Sequence, residues 1–129
     1  MDPILLVDDD PHIRLCLRDL LEHYGYPCIE AIHGTDALAK LRAETVSLII
    51  TDIHMPVMTG LELLEALQSN ESSEHIPRFI LTGDLTEEIQ AQAVQLGVTK
   101  VFPKPYELAK IIQAVHEVLG SPSQEGPLN

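Results

Sequence analysis

The chain has 129 residues, a length that suits one domain burying about two thirds of its unfolded surface in a single core. Eight Lys and Arg against twenty Asp and Glu give a formal charge of -12, which repels phosphate backbones and argues against direct nucleic-acid binding. Two cysteines without a C-x-x-C pair, an acidic N-terminus MDPILLV and the lack of any apolar run of membrane-spanning length argue against a disulfide scaffold, secretion and a membrane partner, and predict a cytoplasmic protein.

Ile4 to Val7 is an apolar run of the kind buried on both faces of a sheet, and it stops abruptly at Asp8, Asp9 and Asp10. Asp10 followed by Pro11 reads as an N-cap and first helical position. Ile13, Cys16, Leu17, Leu20, Leu21 and Tyr24 then recur at the steps of one helix face. Cys28 to Ala31 is a weaker strand, Thr35 to Arg42 a short helix, and Val46 to Ile50 a second strongly apolar strand. Helices over Gly60 to Gln68 and Thr86 to Gln95 flank a strand at Phe79 to Leu81. Thr99 to Phe102 is the last strand, followed by a helical period from Leu108 to Leu119. Cys16 and Cys28 are expected as small buried hydrophobes. Gly120 and Pro122 stop the last helix. The expected organisation is one domain over 1–120 and a disordered tail or linker over 121–129. Five repeats of strand then helix predict a doubly wound α/β fold with a parallel sheet and right-handed crossovers.

Ligands of such a sheet bind where its strands end, at the point where strand order reverses. Asp8 and Asp9 follow the first strand, Asp52 the third, Thr82 the fourth and Lys104 the fifth. Each acid alone suits a solvated rim, and Thr82 alone a strand end; their joint placement on one edge suits a hard divalent cation that accepts carboxylate and phosphate oxygens. The six histidines are scattered without zinc spacing, and neither G-x-x-x-x-G-K-[ST] nor G-x-G-x-x-G occurs.

The stretches ILLVDDD, IITDIHMPVMTG, ILTGD and FPKP, in this order, resemble the receiver domain of two-component response regulators, a CheY-like family, over about residues 3 to 119. The resemblance implies a single-domain (βα)5 flavodoxin-like sheet in the order 2-1-3-4-5. It implies that Asp52 is the phosphoacceptor, taking a phosphoryl group from a phosphohistidine of a sensor histidine kinase or a histidine phosphotransfer protein. Asp9, Asp52 and the backbone carbonyl of His54 would hold Mg²⁺, with Mn²⁺ able to substitute, and Asp8 would act mainly through a bound water. Thr82, Gly83 and Lys104 would bind the phosphoryl group and drive the switch. His54 and Asp84 would tune dephosphorylation. Output would pass to a downstream effector through the fourth helix, fifth strand and fifth helix, about residues 84 to 119, and the family allows a dimer that forms on phosphorylation. Val101 departs from the pattern, since it stands where an aromatic switch residue is common and Phe102 should face the other way. Two other readings stay open. One is a receiver-like interaction module that is never phosphorylated. The other is a Mg²⁺-dependent aspartyl-phosphate phosphohydrolase, weakened because His54 occupies the place of that class's second Asp; on the receiver reading the chain is not an enzyme.

Overall fold

The computed structural model describes residues 1–121. Ile4–Val7 (β1) has no polar face to give to water, so both of its edges and both of its faces are covered. It pairs in parallel with Cys28–Ala31 (β2) on one side and Leu48–Asp52 (β3) on the other. Arg78–Thr82 (β4) and Lys100–Pro103 (β5) extend the sheet to five parallel strands in the order β2-β1-β3-β4-β5, the flavodoxin-like topology. The connections are Pro11–His23 (α1), Gly34–Ala43 (α2), Gly60–Gln68 (α3), Glu87–Gln95 (α4) and Leu108–Leu119 (α5). The switch point falls between β1 and β3, where successive crossovers leave in opposite directions.

Alternation along the strands sorts the core into two layers. Ile4, Leu6, Ile50, Phe79 and Leu81 pack with Leu17 and Leu21 of α1 and Ile111 and Val115 of α5. Leu5, Val7, Ile49 and Ile80 pack with Ala37 of α2, Leu63 and Leu64 of α3 and Ala93 of α4. Burying one such Leu or Ile contributes about 1.5–3 kcal/mol, so both faces of the sheet hold helices firmly.

Local signals explain most boundaries. Asp10 caps α1 by accepting the His12 N–H at 2.9 Å, with Pro11 at the first helical position. Thr59 and Glu62 form a capping box that starts α3. At the far end of α5, Gly120 adopts φ +78°, which glycine tolerates without a Cβ clash. The expected strand from Val46 to Ile50 is displaced: Val46 is buried but precedes β3, which continues through Thr51 and Asp52 because these pair with Ile80 and Leu81 of β4. Cys16 is exposed rather than buried. Each residue turns a helix by about 100°, and with Leu17 and Leu21 centred on the sheet, Cys16 swings to the water side. Residues 122–129, most of the expected tail, lie outside the described residues.

Candidate functional site

Three strand ends and one loop build an acidic pocket at the switch point. Asp8, directly after β1, is 3 % exposed; its Oδ1 accepts the Asp10 N–H at 2.9 Å and its buried Oδ2 has no hydrogen-bond partner among the described residues. Asp52 ends β3 at 6 % exposure, and its Oδ1 accepts the Ile53 N–H at 2.8 Å. Asp9 is exposed, yet a carboxylate oxygen from each of Asp8, Asp9 and Asp52 lies within 4.8 Å of the others. Two carboxylates at that separation repel by roughly 3–4 kcal/mol at an effective dielectric near 20. Lys104 Nζ answers part of this, 3.4 Å from Asp52 Oδ1 and 3.8 Å from Asp8 Oδ2. The Lys104 backbone N–H donates to Thr82 O at 2.6 Å, which ties the base of this side chain to the end of β4.

One ammonium against three carboxylates leaves the pocket short of positive charge. Burial, opposed by the Asp10 N–H and reinforced by the Asp52 charge, pushes the Asp8 carboxyl up to about 6 despite Lys104. Hard oxygen donors converging from two strands, one of them buried without a hydrogen bond among the described residues, fit a divalent cation of the Mg²⁺ type.

The remaining candidates surround this centre. Thr82 is fully buried and its Oγ1 accepts the Asp84 N–H at 3.0 Å, which leaves its hydroxyl proton to donate elsewhere. A Cβ on Gly83 would meet only Lys104 Cβ, at 3.8 Å, so packing alone does not require glycine there. His54 Nε2 and Asp84 Oδ2 face each other at 3.7 Å across the exposed rim. Val101 packs on the α2, α3 and α4 face of the sheet. Phe102 points to the opposite face, its ring 5.6 Å from that of Phe79, as strand alternation predicts.

Three further residues bear on the site: Gly60, which ends the stretch IITDIHMPVMTG, and Tyr106 and Arg14, which the sequence did not mark. Gly60 donates its N–H to Ile53 O at 2.8 Å, and a Cβ on it would come within 2.2 Å of Asp52 O. The loop therefore closes on the end of β3 only with glycine at this position. Tyr106 has its hydroxyl pushed up to about 12, first by burial and then by the charges of Asp8, Cys16, Asp52 and Asp10. Arg14 of α1 donates from Nη1 to Asp8 O at 2.6 Å. A basic residue on an amphipathic helix reads as a solvated one, and only the fold shows where it reaches.

An open doubly wound sheet whose switch point gathers three carboxylates, a hydroxyl and an ammonium defines a receiver-type signalling domain. The chain belongs to the response regulator receiver domain family, whose profile matches residues 4–116. It is 31% identical over 116 residues to the chemotaxis protein CheY of Pseudomonas aeruginosa, covering 89% of this chain and 94% of that protein. It is 34% identical to the hybrid signal transduction histidine kinase D of Dictyostelium discoideum, where the match covers 87% of this chain and 7% of the relative's length. Among solved structures, the chemotaxis protein CheY4 of Vibrio cholerae superposes with a TM-score of 0.86 at 31% identity, over 92% of this chain and 99% of that one. Domains of this family are signalling phosphoacceptors, generally not classed as enzymes, which work with histidine kinases and downstream effectors and typically bind Mg²⁺ through acidic residues. Among the described residues no helix is long and apolar enough to cross a membrane.

Proposed function

We propose that this domain accepts a phosphoryl group from a phosphohistidine onto Asp52 and relays the event to a protein partner. The observation that carries the reading is the geometry around Lys104, whose Nζ stands 3.4 Å from Asp52 Oδ1 and 3.8 Å from Asp8 Oδ2, a buried oxygen that accepts no hydrogen bond among the described residues. Asp9, Asp52 and the His54 carbonyl would hold Mg²⁺, or Mn²⁺ in its place, with Asp8 acting through water. Bound there, the cation would offset charge on the phosphoryl oxygens. The Ile53 N–H and Lys104 both engage Asp52 Oδ1, so Oδ2 is the attacking oxygen; the new P–O bond forms as the phosphohistidine P–N bond breaks. Lys104 draws one phosphoryl oxygen and the Thr82 hydroxyl donates to another, which moves the β4–α4 loop inward.

Phosphorylation adds close to two negative charges and strong acceptor oxygens, enough to bias a loop with two arrangements. Signalling runs through α4, β5 and α5, with Val101 repacking where other family members rotate an aromatic ring. His54 and Asp84 at the rim tune hydrolysis of the phosphoaspartate, and Gly83 leaves room for the phosphoryl group. Cognate partners are a sensor histidine kinase or a histidine phosphotransfer protein on one side and an effector on the other, in the cytoplasm, with dimerisation on phosphorylation as one route to output. Residues 1–120 form the receiver unit. Intact mass after incubation with Mg²⁺ and acetyl phosphate tests the reading. One added phosphoryl group in the wild type and none in Asp52→Asn supports it. Equal gain in both moves the chemistry elsewhere, and repeated turnover of small phosphate esters would favour a phosphohydrolase.

A further inference from the structure

Arg14 is 13 % exposed in its side chain and its fork is used on both sides. Nη1 donates to the Asp8 carbonyl oxygen at 2.6 Å and Nε donates to Glu30 Oε1 at 2.9 Å. Glu30 lies on β2, in register with Leu6 of β1, and its other oxygen accepts from Arg18 Nη1 at 2.8 Å. Two guanidinium groups hold the Glu30 carboxyl below the usual carboxylate range, Arg18 contributing most. Glu30 is thus a fixed anion, and it fixes Arg14 in turn.

The atom that Arg14 grips belongs to the peptide joining Asp8 to Asp9. That peptide sets the directions of two of the three acids in the pocket. Lys104 approaches those acids from β5 through their carboxylates, whereas Arg14 approaches from α1 through the backbone, so the two cations do different work. A bidentate guanidinium is the side chain suited to such a clamp, because a lysine ammonium on a flexible stem cannot present two donors in a fixed plane. Groups hydrogen-bonded directly to ligating side chains typically change metal affinity 10- to 100-fold when removed, and a clamp on the Asp8–Asp9 peptide acts one step behind them, at the low end of that range.

From this geometry we infer that Arg14 is a positioning residue for the cation site, held in place by Glu30, and that the α1–β2 edge of the domain therefore sets how tightly the pocket binds Mg²⁺. This rests on the proposed Mg²⁺-dependent function of the same pocket. It extends the site to two residues that touch neither the cation nor Asp52.

Calorimetric Mg²⁺ titration and urea unfolding of the full chain, run on the wild type, Arg14→Lys, Glu30→Gln and Ile76→Val, test the inference. The expected result is a Mg²⁺ dissociation constant at least tenfold weaker in Arg14→Lys, which keeps the charge but not the fork. Glu30→Gln, which leaves Arg14 present but loosely held, should fall between that variant and the wild type. Ile76→Val, which removes a methylene from the opposite face of the sheet, outside the network, should bind Mg²⁺ within about twofold of wild type while lowering the urea midpoint. Affinity that follows urea midpoint across all three variants, or an unchanged affinity in Arg14→Lys, would overturn it. A wild type that itself binds no Mg²⁺ would instead overturn the proposed function on which the inference stands.

Discussion

Replacing Asp8 by Asn removes one charge from the pocket while changing almost nothing else. Asn Oδ1 still accepts the Asp10 N–H, and the side chain keeps its volume. The sign of the effect follows from the raised Asp8 carboxyl, which moves from 3.8 to about 6 on folding. A carboxyl raised in the folded state contributes stability that is complete below the unfolded value and is lost as pH climbs through the folded one. Metal-free wild type therefore loses this contribution between about pH 4 and pH 6, and at pH 7.5 the ionised Asp8 opposes folding. A rise of that size corresponds to about 3 kcal/mol at 1.36 kcal/mol per pH unit. Water reaching the pocket mouth through exposed Asp9 reduces this to about 1–2 kcal/mol. Urea unfolding at pH 7.5 with a chelator should show Asp8→Asn more stable than wild type by that amount, with the same m value, and the gap should close toward pH 4. Ten dissociation constants of Mg²⁺ should stabilise the wild type by about 1.4 kcal/mol and the variant by less. An Asp8→Asn protein less stable than wild type at pH 7.5, or a gap that does not change with pH, would refute the claim that an ionised Asp8 is held at a cost, set first by its burial and then by the Asp52 charge.

Gly60→Ala should destabilise by about 1–3 kcal/mol, since its Cβ would press against Asp52 O and the loop must shift; a urea midpoint within error of wild type would show the loop to be free to move. Val57 is 78 % exposed at φ +69°, a strained conformation for a β-branched residue. Val57→Gly should gain about 0.5–1 kcal/mol in thermal unfolding, the strain relieved exceeding the entropy that glycine adds to the unfolded chain. Lys104→Met should keep Mg²⁺ binding and slow phosphorylation by acetyl phosphate, read by intact mass, because the ammonium 3.4 Å from Asp52 is lost while the carboxylates remain. An unimpaired rate would remove Lys104 from the chemistry.

Periodicity carried most of the fold. Buried strands such as Ile4–Val7 announce themselves by having no polar side, and Leu17 and Leu21 mark the inner face of α1 by spacing alone. What spacing could not resolve were the margins of such patterns: Cys16 sits one residue from the buried stripe and faces water, and β3 runs through Thr51 and Asp52 because hydrogen bonds to β4 outweigh their polarity. Strand order came from the family resemblance, since pairing is a long-range choice that no local pattern encodes. In the site, strand-end placement made the acids and Lys104 legible. Gly60 stood in the stretch IITDIHMPVMTG that carries the resemblance, although its physical reason, the lack of a Cβ near Asp52, did not; Arg14 was not legible, because it acts on a carbonyl six residues away.

Borohydride reduction after exposure to acetyl phosphate and Mg²⁺ tests the central claim most directly, because it converts an aspartyl phosphate to homoserine that peptide mass spectrometry can locate. The account predicts homoserine at position 52 alone, lost when Mg²⁺ is chelated. Homoserine at Asp8 or Asp9, or labelling of Asp52 that is indifferent to Mg²⁺, would contradict it.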